Sequence, residues 1–574
     1  MLSIALLAAT TLALPGPSQE KRKVEFAVVA NANNGTKALT TKQFARIFRA
    51  EKMFWDDQER IYLILPRSGS PERDYLLDEV YALDEAQLKR YWIELVFQNK
   101  IPAVPKVLPS SALTLAVVTK RTEAIGFVCA DEIGADSEAR ILAIDGKRPG
   151  QEGYPLVKIV TDDEEHTPPE EGTEDQDARD EASQREAAST LVARSVQASR
   201  PQDDENDRLA RLEGELAALR EQIEYEDELE HGLILGPKLN LRGFTDVVFG
   251  ARDVDRDSPG LDETSNEFAL GQVDLFITSQ LSERLSALSE VVFTAKSDGS
   301  NGPNIERAIV KYNLSDGLNF QAGRFHTTLG HWNEAYHHGE WFHTTIGRPQ
   351  IVNFNGGGGL LPIHLIGLVL KGRQGTDGML LDYTLEAGNG RGPTRGFDQV
   401  ASDVDDAKAI NVAVGVQPTA LDGLRLGGGV YVDEIPPNTK AAAGPLHGNI
   451  DETILNAFAT YYAGPWEVLA EYFRFDHEGG SSDPDTDSNG FYVQVGYEVG
   501  DWTPYVRLEG IGVDDASTFF ENQSDLDRYL IGARWDFSTW SALKFQVAYS
   551  EMDASPGGND ESEIELAVQW SYAF

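Results

Sequence analysis

From Leu233 to the C-terminus, apolar and polar residues alternate with a period of two. In the last run Ile564, Leu566, Val568, Trp570, Tyr572 and Phe574 point one way, and Glu565, Ala567, Gln569, Ser571 and Ala573 point the other. The run before it sets Leu543, Phe545, Val547 and Tyr549 against Lys544, Gln546, Ala548 and Ser550. Upstream, Phe491, Val493, Val495, Tyr497 and Val499 alternate with Tyr492, Gln494, Gly496 and Glu498. Successive side chains of a strand leave on opposite faces, so each run predicts a strand with one apolar and one polar face. Strict alternation over about ten residues is what lipid outside and water inside require of a barrel strand. A soluble sandwich also alternates, but aliphatics fill its apolar sides and its connections are more uniform.

Sixteen such segments are predicted, near 235–250, 266–280, 284–296, 304–314, 317–325, 358–371, 378–388, 407–417, 422–432, 452–463, 465–475, 487–499, 501–511, 526–537, 540–551 and 562–574. Their connections alternate between tight turns, such as Ser282–Glu283, Ala463–Gly464 and Ser538–Thr539, and long stretches rich in Asp, Gly, Asn and Pro. Short turns on one side and long loops on the other mark an outer-membrane barrel, and an even strand count returns the C-terminus to the short-turn side. Trp466, Trp502, Trp535, Trp540 and Trp570 fall near turn ends, where an aromatic girdle belongs.

Upstream of Leu233 the period changes. Leu209, Leu212, Leu216, Leu219 and Ile223 are spaced 3, 4, 3 and 4 apart, which predicts a short coiled coil over 208–230, with a lone amphipathic helix as the alternative. Residues 161–207 hold 16 acidic residues against four arginines, a composition that predicts a disordered acidic linker. Residues 23–160 read as a mixed α/β domain. Val24–Ala30 is a strand, Thr40 and Gln43 form a capping box, and Ile61–Leu65 is a buried strand. Ser70 and Pro71 open a helix, Asp84 and Gln87 open another, and Ala124–Val128 is a strand. Residues 1–19 read as a signal peptide: Met1–Leu14 is apolar, too short to span as a helix, and followed by Pro15, Gly16 and Pro17.

Composition narrows the function. Among 574 residues, 50 basic against 93 acidic give a net charge of −43, which argues against nucleic acid as a partner. The single cysteine, Cys129, excludes an intramolecular disulfide and a Cys-based zinc site. A mean hydropathy of −0.34, with no apolar run of 18 residues, excludes a helical membrane protein but not a barrel.

One local constellation stands out. His326, His331, His337, His338 and His343 lie within 18 residues, interleaved with Trp332, Glu334, Glu340 and Trp341. By strand count this is the third long loop. It is expected either to form a pore constriction lined by these histidines with Arg324 and Arg348, to capture a metal, or to be packed by its aromatics. No metal ligand set or cofactor is assigned. A second set is defined by parity: Arg242, Arg307, Lys311, Arg507, Arg534 and Lys544 are expected to line the pore, sharing the polar face with Asp246, Glu467, Glu471, Glu509, Asp536 and Glu565. Mixed signs predict weak selectivity. In the α/β domain, Ser68, Ser70 and Arg73 at a helix start form a candidate anion site.

The terminal Tyr572-Ala573-Phe574 resembles the aromatic signal by which the barrel-assembly machinery recognises outer-membrane proteins. A heptad just before sixteen strands, with Gly323-Arg324-Phe325-His326 through Gly347-Arg348-Pro349, resembles the trimeric porins, especially the phosphate-selective O/P type. That resemblance implies a homotrimer in the outer membrane, and the Asp-rich long loops are expected either to bridge lipopolysaccharide through Ca²⁺ or Mg²⁺ or to be a solvated acidic surface. The departure is in charge, since residues 233–574 hold 22 basic against 49 acidic residues. The stretches Phe44–Phe48, Phe54-Trp55, Arg67–Arg73, Ala86–Trp92 and Ala124–Val128 resemble small phosphate-binding-protein-like domains, which implies a type-2 periplasmic-binding fold holding phosphate, or a degenerate version contacting a cell-wall component. The expectation is therefore an outer-membrane porin for small hydrophilic solutes, with its N-terminal domain in the periplasm. The alternatives are a phosphate-specific uptake channel and a plugged anchor for the periplasmic domain. No nucleophile–base pair points to an enzyme.

Overall fold

The computed structural model describes residues 21–161 and 239–574, apart from 57–58, 135–136, 258–262, 296–300, 337–338, 355–357, 377, 395–404, 438–446, 481–482, 522 and 554–559. The expected signal peptide, nearly all of the acidic linker and the expected coiled coil lie outside the described residues.

The N-terminal part is a mixed α/β unit. Its sheet runs in the order β4 (Lys106–Leu108), β3 (Tyr62–Pro66), β5 (Ala124–Cys129), β1 (Lys21–Ala30) and β6 (Arg140–Ile141), with β8 (Val157–Thr161) also paired to β1. Strand β3 runs parallel to β4 and β5, whereas β1 is antiparallel to β5. A second pairing joins β2 (Ala38–Leu39) to β7 (Ala143–Ile144). All six residues of β5 are buried, because helices cover both sheet faces. On one face Phe26, Phe44, Phe48, Tyr75 and Phe127 pack with α1 (Thr41–Phe48) and α2 (Pro71–Tyr75). On the other, Val29, Ile64, Val117 and Val128 pack with α4 (Ser111–Lys120).

Local chemistry sets the helix starts. Thr40 and Gln43 exchange side-chain and backbone hydrogen bonds at α1 (3.1 and 2.8 Å), and Asp84 and Gln87 repeat this at α3 (Glu85–Phe97; 2.8 and 3.0 Å). Cys129 is buried, and burial together with the neighbouring Glu72 carboxylate pushes its thiol well above the usual range. A thiol held protonated reacts slowly, so the folded chain should show no titratable thiol with a disulfide-exchange dye until denaturant is added. One equivalent released at once from native protein would mean that β5 is not the buried strand described.

Residues 239–574 form a closed antiparallel barrel of sixteen strands. The first eight are β9 (Leu239–Arg256), β10 (Glu263–Gln280), β11 (Leu285–Ala295), β12 (Asn301–Ser315), β13 (Leu318–His326), β14 (His364–Gly375), β15 (Met379–Gly388) and β16 (Ala409–Pro418). The other eight are β17 (Leu424–Ile435), β18 (Ile450–Ala463), β19 (Trp466–Gly479), β20 (Thr486–Tyr497), β21 (Trp502–Gly512), β22 (Asp525–Ser538), β23 (Ser541–Asp553) and β24 (Glu561–Ala573). Parity follows the sequence: along β24 Ile564, Leu566 and Trp570 are more than half exposed, whereas Ala567, Gln569 and Ser571 are at most 2% exposed. Strand β24 closes on β9, and Phe574 and Gly243 exchange both backbone hydrogen bonds at 2.9 Å. A Cβ at 243 would lie 2.1 Å from the Phe574 ring, so a larger residue there would have to turn that ring aside.

Every predicted segment is a strand. The largest offset at the start of a strand is at 358–371, where the strand begins only at His364. Leu360, Leu361 and Ile363 are buried in the lumen instead. An apolar run without alternation reads the same way whether a strand or a packed loop carries it.

Candidate functional site in the barrel lumen

The 327–363 connection, third from β9 at the end opposite the tight turns, folds into the barrel and crosses to the far wall. Backbone inside a lumen must find partners for its N–H and C=O groups. Inward-facing side chains supply them. The Glu471 carboxylate on β19 accepts from the amides of His331 (2.7 Å) and Trp332 (2.8 Å) at the start of the short helix α5 (His331–Ala335). It also accepts from the Tyr492 hydroxyl at 2.6 Å. Gly330 just before has φ +88°, and a Cβ there would lie 2.6 Å from that carboxylate, so the tight approach requires glycine. Glu386 accepts from the amide of Thr328 (3.0 Å), and Glu509 from that of Gln350.

The cations hold the loop carbonyls. Arg507 donates to the carbonyls of Gly347 and Arg348 (3.2 Å each) and to the Thr345 hydroxyl at 2.8 Å. Arg534 donates to those of Trp341 (2.6 Å) and His343 (2.8 Å). Lys544 donates to those of Glu340 (2.6 Å) and Thr345 (3.2 Å). Three of the expected pore-lining cations are thus loop anchors, each with a buried side chain. Two others meet the α/β domain: Arg307, paired with Glu290, donates to the Phe97 carbonyl (3.0 Å), and Lys311 to those of Asn99 and Lys100. Arg242 is half-buried, 6.0 Å from the Trp540 ring centre.

The described histidines lie in this packed interior. His326 is 3.7 Å from Glu290 and its ring is 5.0 Å from that of His364. His331 Nδ1 is 3.2 Å from Arg425, and His343 Nδ1 is 3.2 Å from Glu340. Arg348 donates to the Val352 carbonyl (3.2 Å) and covers the Phe354 ring at 4.0 Å. Arg324 falls on the row of Ala308 and Ile366, the parity of the exposed Val310 and Leu368, and donates to the Glu306 carbonyl at 3.2 Å. It stands apart from the side chains that meet the loop. His337 and His338 lie outside the described residues. Among the described residues no three His, Cys, Asp or Glu side chains converge on a metal-sized site.

In the α/β domain, Ser68 is exposed. The Ser70 hydroxyl caps α2 by accepting from the Arg73 amide (3.2 Å), and the Arg73 guanidinium is paired with Glu85 (2.8 and 3.0 Å). Those groups are engaged within the domain.

Sequence reading gave no role to Phe97–Pro102 or to Asp316, the residues by which the α/β unit meets the barrel. Phe97 is 1% exposed, and its ring lies 4.8 Å from Phe276, 5.0 Å from Phe342 and 5.7 Å from Phe244. At the end of an amphipathic helix it reads as an ordinary core residue, and no local signal names its partners.

The family model described as Gram-negative porin matches residues 227–574, more than half of the chain. The chain belongs to the Gram-negative porins. Its barrel is of the outer-membrane, porin type. No curated protein matches the porin. Among solved structures it is similar to the outer membrane channel DcaP of Acinetobacter baumannii, at 13% identity over 59% of this chain and 98% of that one, with a TM-score of 0.42. OprB of Pseudomonas putida is 12% identical over 61% of this porin and 96% of its own length, with a TM-score of 0.39. OmpF of Salmonella typhi is 14% identical over 59% and 98%, with a TM-score of 0.37.

Proposed function

We propose that this porin passes small hydrophilic solutes by passive diffusion across the outer membrane, through a lumen narrowed by the 327–363 loop, with its α/β domain in the periplasm. The observation that carries the reading is the anchoring of that loop across the barrel by Glu471, Arg507, Arg534 and Lys544. A loop tied to the wall on both carbonyls and amides sets a fixed aperture instead of a fluctuating one. These wall charges are of both signs, so selectivity should be weak. The tight turns and both barrel termini lie at one end, which supports placing the α/β domain on the periplasmic side. The Leu209–Ile223 heptad supports a homotrimer, the acidic long loops suit divalent-cation bridges to lipopolysaccharide, and the terminal Phe574 suits the barrel-assembly machinery.

The test is a planar bilayer recorded under a salt gradient. Openings should reverse close to zero voltage, come in groups of three equal steps and be indifferent to inorganic phosphate. Strong anion preference with phosphate block would replace this reading with a phosphate-specific uptake channel. Complete silence from heat-modifiable protein whose α/β domain has been displaced would refute a diffusion channel altogether.

A further inference from the structure

We propose a second function for the α/β domain: it is the stopper of its own barrel, and the channel conducts when the domain leaves the mouth. The inference rests on reading the barrel as a diffusion channel.

Helix α3 runs towards the lumen and ends there. Its last carbonyls sit at the negative end of the helix dipole; those of Glu94, Leu95 and Val96 accept from the amides of Gln98, Lys100 and Asn99, which leaves the Phe97 carbonyl to the barrel. Arg307 donates to that carbonyl (3.0 Å), and Lys311 to those of Asn99 and Lys100 just past the helix end. The chain turns at Asn99, whose φ is +53°, and the Pro102 carbonyl then accepts from the Thr278 hydroxyl at 2.7 Å. Two inward-facing cations are thereby placed against the C-terminal end of α3 and the turn that follows it.

The apolar contacts point the same way. Phe97 and Ile93 belong to the lumen core, not to either core of the α/β domain. Phe97 fills a nest made by Phe244 on β9, Phe276 on β10 and Phe342 on the constriction loop, with Arg307 over its ring at 5.0 Å. Arg90 of α3 donates to the Phe342 carbonyl, so the domain touches the constriction loop directly.

The rim contacts show how much of the mouth is covered. Asp316, in the turn between β12 and β13, accepts from the amides of Met53 (2.7 Å) and Phe54 (2.9 Å). Glu498, in the turn between β20 and β21, accepts from Gln87 at 3.1 Å. These turns are eight strands apart in a sixteen-stranded barrel, which is half the circumference. The domain therefore reaches from one side of the rim to the opposite side, with residues 97–102 between.

Release is compatible with both parts remaining folded. The α/β unit keeps its own two cores and gives up only Ile93 and Phe97 from the lumen core, while the nest of Phe244, Phe276 and Phe342 on the barrel side is uncovered with them. Most other contacts are hydrogen bonds that water replaces at small net cost.

The test uses the full chain with Gln98→Cys as reporter, Cys129 being buried and silent. A polyethylene-glycol maleimide, too large to enter a plugged mouth, should not label residue 98 in the otherwise unaltered chain. Phe97→Ala, Asp316→Ala and Lys311→Ala are then added in succession until residue 98 labels completely while the barrel stays heat-modifiable. Loss of about 1.4 kcal/mol of docking free energy corresponds to a tenfold change in the equilibrium, so the time-averaged current of that variant should exceed the parent's about tenfold or more. A parent that already conducts at the variant's level would overturn the stopper. A labelled variant that stays silent would overturn it too, and would also remove the diffusion-channel reading, which the first outcome leaves standing.

Discussion

Replacing Glu471 with alanine should free the constriction loop and enlarge the open pore. The carboxylate accepts the His331 and Trp332 amides and the Tyr492 hydroxyl, so one substitution leaves three buried donors without their acceptor. Hydrogen bonds to a charged group contribute about 1.5–3 kcal/mol each, offset in part by the desolvation that the carboxylate no longer incurs, for a net loss on the order of 3 kcal/mol at the loop. The barrel ladder is untouched, because alanine keeps the β19 backbone. The readout is unit conductance in a chain whose α/β domain has been displaced, where Glu471→Ala should open to a level at least about twice that of Glu471, as expected when a fixed obstruction leaves a lumen. Glu471→Gln, which keeps one carbonyl oxygen as acceptor, should fall between. Equal conductance in all three chains would mean that the loop is not held by this side chain.

A second large effect is expected from Phe127→Ala in β5. Its ring packs against Phe26 (5.2 Å), Phe44 (5.4 Å), Tyr75 (5.5 Å) and Phe48 (5.9 Å) and is 1% exposed. Emptying such a site costs about 3–5 kcal/mol, the lost transfer free energy plus the cavity left behind. For a unit of this size that lowers the midpoint of unfolding by roughly 10–20 °C. Because this core shares no residue with the lumen core, calorimetry should show the lower transition move and the barrel transition stay. Both transitions moving together would show that the two parts unfold as one.

The barrel was legible because each of its strands obeys a local rule. A residue facing lipid must be apolar, its neighbours face the lumen, and sixteen repetitions of that constraint leave little freedom in the count. The third loop was only half legible: strand count located it, but constriction, metal capture and packing by its aromatics stayed open until Trp332 and Trp341 were found buried. Capping boxes at Thr40 and Asp84 likewise need only residues three apart. The start of β14 was misplaced because Leu360, Leu361 and Ile363 are apolar without alternating.

What the charged residues do was decided by tertiary structure. Parity puts Arg507, Arg534 and Lys544 inside the barrel, yet nothing near them in sequence tells that carbonyls 159 to 204 residues upstream will take their hydrogen bonds. Arg73 looks like an anion ligand until Glu85 is seen beside it. The contact of Phe97 with Phe276 and of Asp316 with the Met53 amide joins segments that share no period, motif or spacing. The sequence by itself therefore determined the barrel, its strand count and the α/β unit, because lipid, water and helix ends each act on nearest neighbours. Only the tertiary structure decided which charges hold the loop and that the α/β unit sits in the mouth, because those contacts depend on surfaces brought together after the chain has folded.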